Sequence, residues 1–117
     1  MNDMEALEYI DFLSKVEQHK QLFPLADLQG QVMKLDEELD EYLTAKTDEE
    51  KIKELADCII CCIGIFRWTT LVARSYMVMI FNKKQDKLKN ILDEVNRKWE
   101  INLNRTWEYK DGYYHHT

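Results

Sequence analysis

The sequence predicts an all-α fold, a compact bundle of four to five helices completed by oligomerisation, and three observations carry that expectation. The chain has 117 residues, the length of one domain, so residues 1–117 are read as a single unit. Apolar residues make up 45%, enough to bury a core. Only 3 Gly and 1 Pro punctuate the chain, which leaves a turn-rich sandwich or barrel without its turn residues.

Each element has its own signal. Met4 to Lys20 places Tyr9, Phe12, Leu13 and Val16 at spacings of three and four, widened by Leu7 and Ile10, as on one amphipathic helix. Pro24 marks a break. A second helix is expected from about Leu25 or Asp27 to Ala45, with Leu28, Val32, Leu35, Leu39 and Leu43 as its stripe. Gly30 inside it implies a close helix contact. Thr47-Asp48-Glu49-Glu50 reads as a capping box: Thr47 accepts from the N3 amide and Glu50 reaches back to the Thr47 amide. The third helix then runs through Ile52, Leu55, Ile59 and Ile63, and from Cys58 to Phe66 it is apolar nearly all round, hence the most buried element. Trp68 to Asn82 is ambiguous, because Thr69-Thr70 and Val72 weaken helix propensity without a firm stop. A last helix covers roughly Lys84 to Asn104, its apolar face formed by Leu88, Ile91, Leu92, Val95, Trp99 and Leu103. Asp111-Gly112 is a turn, and residues 110–117 are expected to be a short flexible tail.

Composition narrows function. A net charge of −6 argues against binding a nucleic acid polymer through a basic surface. The longest apolar stretch, Cys58 to Phe66, is far short of the roughly 20 residues that span a bilayer, so no membrane association is expected. Met1-Asn2-Asp3-Met4-Glu5 lacks the features of a signal peptide. Cys58, Cys61 and Cys62, odd in number and crowded on a buried helix, suit reduced thiols packed in the core of a cytoplasmic protein.

The acids carry the strongest functional signal. Glu38 and Glu41 are three apart on the second helix, and Glu54 and Asp57 three apart on the third, so each pair shares a face. The first pair centres about seven residues before the turn near Lys46-Thr47 and the second about nine after it. At about 1.5 Å per residue the two pairs are offset by only about 3 Å. Four carboxylates can therefore converge between antiparallel helices, where hard cations would relieve their repulsion; an all-oxygen set suits Mg²⁺ or Mn²⁺. The spacing alone fits a solvated acidic face equally well, and that reading explains Glu37, Asp40 and Glu50 better, although Glu37 could assist as a base beside the ligands. A di-iron carboxylate bundle is excluded, because it needs Glu-x-x-His and the residues three before His19, His115 and His116 are Val16, Gly112 and Tyr113.

With Glu37-Glu38-Leu39-Asp40-Glu41, twelve intervening residues and Glu54-Leu55-Ala56-Asp57, the chain resembles the MazG-like all-α nucleotide pyrophosphohydrolases, a superfamily related to dimeric dUTPases and dCTP pyrophosphatases. Lys98-Trp99-Glu100-Ile101-Asn102, followed by Arg105 and Trp107, is similar to that family's later basic helix. Asn104 competes with Asn102 for the family's asparagine. The resemblance spans about residues 31–116, and only 68–84 match nothing in it.

The resemblance implies hydrolysis of a nucleoside triphosphate to the monophosphate and pyrophosphate, in nucleotide-pool housecleaning. Glu38, Glu41, Glu54 and Asp57 would hold Mg²⁺, with Mn²⁺ as a substitute, and one glutamate would double as base. Lys98 and Arg105 would neutralise phosphate charge, Asn102 would bond sugar or phosphate, and Trp107 or a tail tyrosine would stack on the base. A bundle this small has few walls to enclose a nucleotide, so a homodimer or homotetramer is expected. The rival reading is a non-catalytic helical interaction module that keeps the fold.

Overall fold

The computed structural model describes all residues, 1–117. Six helices and one hairpin follow in order: α1 (Asp3–Tyr9), α2 (Phe12–Leu22), α3 (Leu28–Thr44), α4 (Asp48–Ile65), α5 (Thr70–Lys83), a 3₁₀ turn (Gln85–Lys87), α6 (Leu88–Leu103), β1 (Trp107–Lys110) and β2 (Tyr113–His116). The fold is thus mostly helical, with a small two-stranded sheet. No helix is long and apolar enough to cross a membrane.

Helix α4 is the axis of the bundle, packed by α2, α3, α5 and α6. Its Cys58–Phe66 stretch supplies Cys58, Ile59, Cys62, Ile63 and Ile65 to the core, all fully buried. The three thiols are free and buried, as their role in packing requires. Burial pushes the Cys58 thiol up to about 12, so it is no nucleophile. Thr47 caps α4 by accepting from the Glu50 amide at 3.1 Å. Glu50 reaches one residue further back than a standard capping box, to the Lys46 amide at 3.1 Å.

The expected single helix over Met4–Lys20 is instead two, and burial explains why. Ile10 and Phe12 are both buried. Two positions apart on a continuous helix they would lie on nearly opposite faces. Asp11 adopts a left-handed conformation, φ 49°, which re-aims α2 so that both reach the core. Tyr9 and Leu13, which the sequence pattern assigned to the buried stripe, are exposed as a result.

The two helical glycines differ. Gly30 sits in the first turn of α3, where its amide donates to the capping Asp27 carboxylate at 2.7 Å, so no interhelical contact explains it. Gly64 is the true close approach. A Cβ there would stand 2.2 Å from Gln31 Oε1 and 2.8 Å from His19 Nε2, filling the space where α2, α3 and α4 meet. Gly64→Ala is expected to lower stability by about 1–3 kcal/mol, read from urea denaturation.

The segment 68–84, ambiguous in sequence, is α5 followed by the 3₁₀ turn. Residues 107–116 form a hairpin, so the flexible tail expected over 110–117 is instead mostly its turn and second strand. Register Lys110↔Tyr113 leaves the two-residue loop Asp111-Gly112, both at positive φ, the geometry of a type I′ turn. The hairpin is docked as well as paired. Phe23 meets the Trp107 ring at 4.9 Å and the Tyr114 ring at 5.0 Å, and the Leu25 amide donates to the Tyr114 hydroxyl at 2.9 Å.

Candidate metal centre

Helices α3 and α4 form an antiparallel hairpin whose facing positions mirror each other. Gln31, Lys34, Glu38 and Glu41 step along α3, and Gly64, Cys61, Asp57 and Glu54 step back along α4 with the same spacings. At one end of this seam Glu38, Glu41 and Glu54 each offer an oxygen, and the three atoms lie within 4.8 Å of one another.

Burial decides what those carboxylates do. Glu38 is held far above the usual carboxylate range, at about 8, first by burial and then by the charges of Asp57, Glu41 and Glu54. Glu54 is raised by burial and then by the nearness of the Glu41 carboxylate. Glu38 Oε2 and Glu54 Oε2 are both buried without a hydrogen-bond partner. An unpartnered buried carboxylate oxygen costs stability.

Asp57 faces the same cluster but is engaged elsewhere. Lys98 Nζ, reaching in from α6, donates to Asp57 Oδ1 at 2.8 Å and to the Lys53 carbonyl at 3.2 Å. Burial raises the Asp57 pKa, and the Lys98 hydrogen bond and charge oppose it. So the structure brings three of the four expected carboxylates to one point and sets the fourth beside them on a lysine.

The remaining expected site residues are more dispersed. Asn102 lies one turn beyond Lys98 on α6, and its carbonyl accepts from the Trp107 indole at 3.0 Å. Trp107 is half-buried against Phe23, so its indole N–H and one ring edge are committed to packing. Arg105 is exposed just past the end of α6, outside any ion pair. Asn104 donates to the Glu100 carbonyl of its own helix at 2.8 Å. His115 and His116 lie in β2, His115 near the Lys110 carbonyl and His116 against Trp107, away from the carboxylates.

Sequence reasoning missed the far end of the seam. His19 is buried; Arg67 donates to its Nδ1 at 3.1 Å and to the Phe23 carbonyl at 2.9 Å. Because arginine only donates, Nδ1 must accept, so the ring is neutral with its proton on Nε2, toward Gln31. Burial, and then the Arg67 charge, lower the His19 pKa from 6.5 to about 4. An unfolded His19 takes up its proton below 6.5 and the folded one does not, so stability present above pH 6.5 is lost as pH falls through 4. The loss should be about 3 kcal/mol, and denaturant titrations of His19→Gln should show a flatter acid limb. The mirrored spacing of Gln31, Lys34, Cys61 and Gly64 was the signal available in the sequence for this end of the seam.

Comparison with known proteins adds no relative: no family model matches the chain, and neither a curated protein nor a solved structure is significantly similar to it.

Proposed function

We propose that this chain is a Mg²⁺-dependent nucleoside triphosphate pyrophosphohydrolase, converting a (d)NTP and water to the (d)NMP and pyrophosphate. The observation that carries the reading is the convergence of Glu38, Glu41 and Glu54, two of them with an orphaned buried oxygen, beside a lysine-held Asp57. The donor set fits a hard cation. Oxygens around one Mg²⁺ lie about 3–4 Å apart, so atoms within 4.8 Å close on it with small side-chain adjustments. Mn²⁺ fits the same set, whereas zinc prefers nitrogen and sulfur.

When bound there, the cation supplies charge for the phosphate oxygens and acidifies the attacking water. The chain's own residues do the rest. Glu38, Glu41 and Glu54 would hold the ion, Asp57 would be available as a fourth carboxylate, and Lys98 beside it would be placed to meet phosphate. One of the glutamates would take the proton of the attacking water. Water oxygen bonds to the α-phosphorus, the α–β bridging oxygen departs with pyrophosphate, and Lys98 with Arg105 stabilises that leaving charge. Asn102 and Trp107 lie beyond Lys98, on the side where sugar and base would extend. A cytoplasmic location, in keeping with free buried thiols, belongs to the same proposal.

The alternative, a helical interaction module without catalysis, is favoured by one observation, the exposed apolar face of α3 and α5. A panel of ribo- and deoxyribonucleoside triphosphates with Mg²⁺ separates the two. Turnover to monophosphate and pyrophosphate supports the enzyme. Absence of turnover, together with unchanged divalent-ion binding in Glu54→Gln, removes it.

A further inference from the structure

We propose that Lys34 grips the terminal phosphate of the substrate, so that the chain prefers a nucleoside triphosphate to a diphosphate. The inference rests on the hydrolase reading and adds to it a residue that measures the length of the polyphosphate.

Lys34 lies on the seam between α3 and α4. It stands one turn, about 6 Å, from Glu38. Its counterpart on α4 is Cys61, one turn from Asp57 in the same direction. The Lys34 charge is felt across the seam. Burial raises Asp57 and Cys61, and the Lys34 ammonium opposes it at both. Burial and Arg67 lower His19, and Lys34 adds to them. The ammonium is therefore felt on α4 and on α2, which places it toward the seam. Asp57 has two lysines near it from different helices, Lys98 of α6 and Lys34 of α3.

The two lysines differ in what they hold. Lys98 is engaged with Asp57, whereas Lys34 is exposed and enters no ion pair. Glu37 and Glu38, three and four residues on, are within helical reach, yet it pairs with neither. It is also the sole base on α3, whose other charged residues are all acids. An unpaired ammonium one turn from a carboxylate cluster suits an anion that begins at the cluster's ion and extends along the seam. With Asn102 and Trp107 placing sugar and base on the α6 side, the polyphosphate runs toward α3. The α-phosphate then sits at the ion, Lys98 meets charge at the α–β bridge, and Lys34 meets the γ-phosphate. About 6 Å is the reach of two phosphoanhydride links, so a diphosphate stops short of Lys34. Beyond Lys34 the seam closes. Gln31 and His19 fill the space over Gly64, and Arg67 is committed to His19 Nδ1 and the Phe23 carbonyl.

Steady-state kinetics of the full chain with Mg²⁺ and the triphosphate that turns over fastest test this. Pyrophosphate, the matching diphosphate and the monophosphate serve as competitors. Lys34→Met should lower kcat/KM on the triphosphate about 30-fold and raise the inhibition constant of pyrophosphate by about the same factor. Inhibition by the diphosphate and the monophosphate should not change, and Mg²⁺ affinity without nucleotide should not fall. Lys34→Arg keeps the charge and should recover most of the loss. Lys20→Met, which removes an equal charge from an exposed pair on α2, should leave every constant as it was. If Lys34→Met weakens pyrophosphate and monophosphate alike, or neither, the inference fails while the hydrolase reading stands. If the unaltered chain turns over no triphosphate, that reading falls and the inference falls with it.

Discussion

Glu38→Gln is expected to stabilise the metal-free protein and to disable it. Burial and three neighbouring carboxylates hold the folded Glu38 at about 8, against 4.5 for a free side chain. Below 4.5 the group is protonated in both folded and unfolded chains and costs nothing. Between 4.5 and 8 the unfolded chain ionises first, so stability falls with rising pH and the full penalty is present above 8. Because Glu38 is only half-buried, solvent screening reduces that penalty to about 2 kcal/mol. Removing the charge should raise the melting temperature of the metal-free chain at pH 8 by roughly 5–10 °C and flatten its pH dependence. The same variant should lose most of the stabilisation that Mg²⁺ confers on the unaltered protein. Its kcat/KM on triphosphates should fall about 1,000-fold, a loss of about 4 kcal/mol in the transition state. Thermal melts across pH, with and without Mg²⁺, beside a turnover assay, give all of these readings. A variant that melts lower than its parent at pH 8 in the absence of metal would mean that Glu38 is satisfied by contacts other than an ion.

Lys98→Ala separates ion binding from chemistry. Lys98 holds Asp57 at 2.8 Å, so a cation must compete with the ammonium for that carboxylate. Without it, Mg²⁺ affinity should rise several-fold, because a fourth carboxylate becomes free beside three others. Turnover should move the opposite way. The variant lacks a cation to offset charge on departing pyrophosphate, and kcat/KM should fall about 100-fold. Isothermal titration and steady-state kinetics on one preparation read the two directions together. If both fall in parallel, Lys98 is a support for Asp57 and plays no part in phosphate neutralisation. Lys98→Arg keeps the charge and should recover part of the activity, though an Arg fork does not reproduce the ammonium's reach.

The helical fold was largely legible because its strongest signals are local. Thr47 at the head of α4, the apolar run Cys58–Phe66 and the α6 face from Leu88 to Trp99 each specify their element without help from the rest of the chain. The carboxylate cluster was legible for the same reason: two i,i+3 pairs and a short turn fix their relative height. What escaped notice depends on distant contacts. Ile10 and Phe12 look compatible with one helix until both must reach the same core. Asp111-Gly112 was read as a turn, but the strand partners on either side are mostly polar aromatics whose pairing is secured by docking on Phe23. Gly64 carries no sequence mark that distinguishes it from Gly30; only the approach of Gln31 and His19 does. The Lys98–Asp57 pair likewise joins positions 41 residues apart, on helices whose packing the spacing alone does not set.

Hydrolysis in ¹⁸O-labelled water, with Mg²⁺ and the triphosphate that turns over fastest, tests the central claim most directly. Attack at the α-phosphorus should place one ¹⁸O in the nucleoside monophosphate and none in the pyrophosphate, with the two products formed in equal amounts. Label in the pyrophosphate, release of orthophosphate and diphosphate, or no turnover of any triphosphate would contradict it.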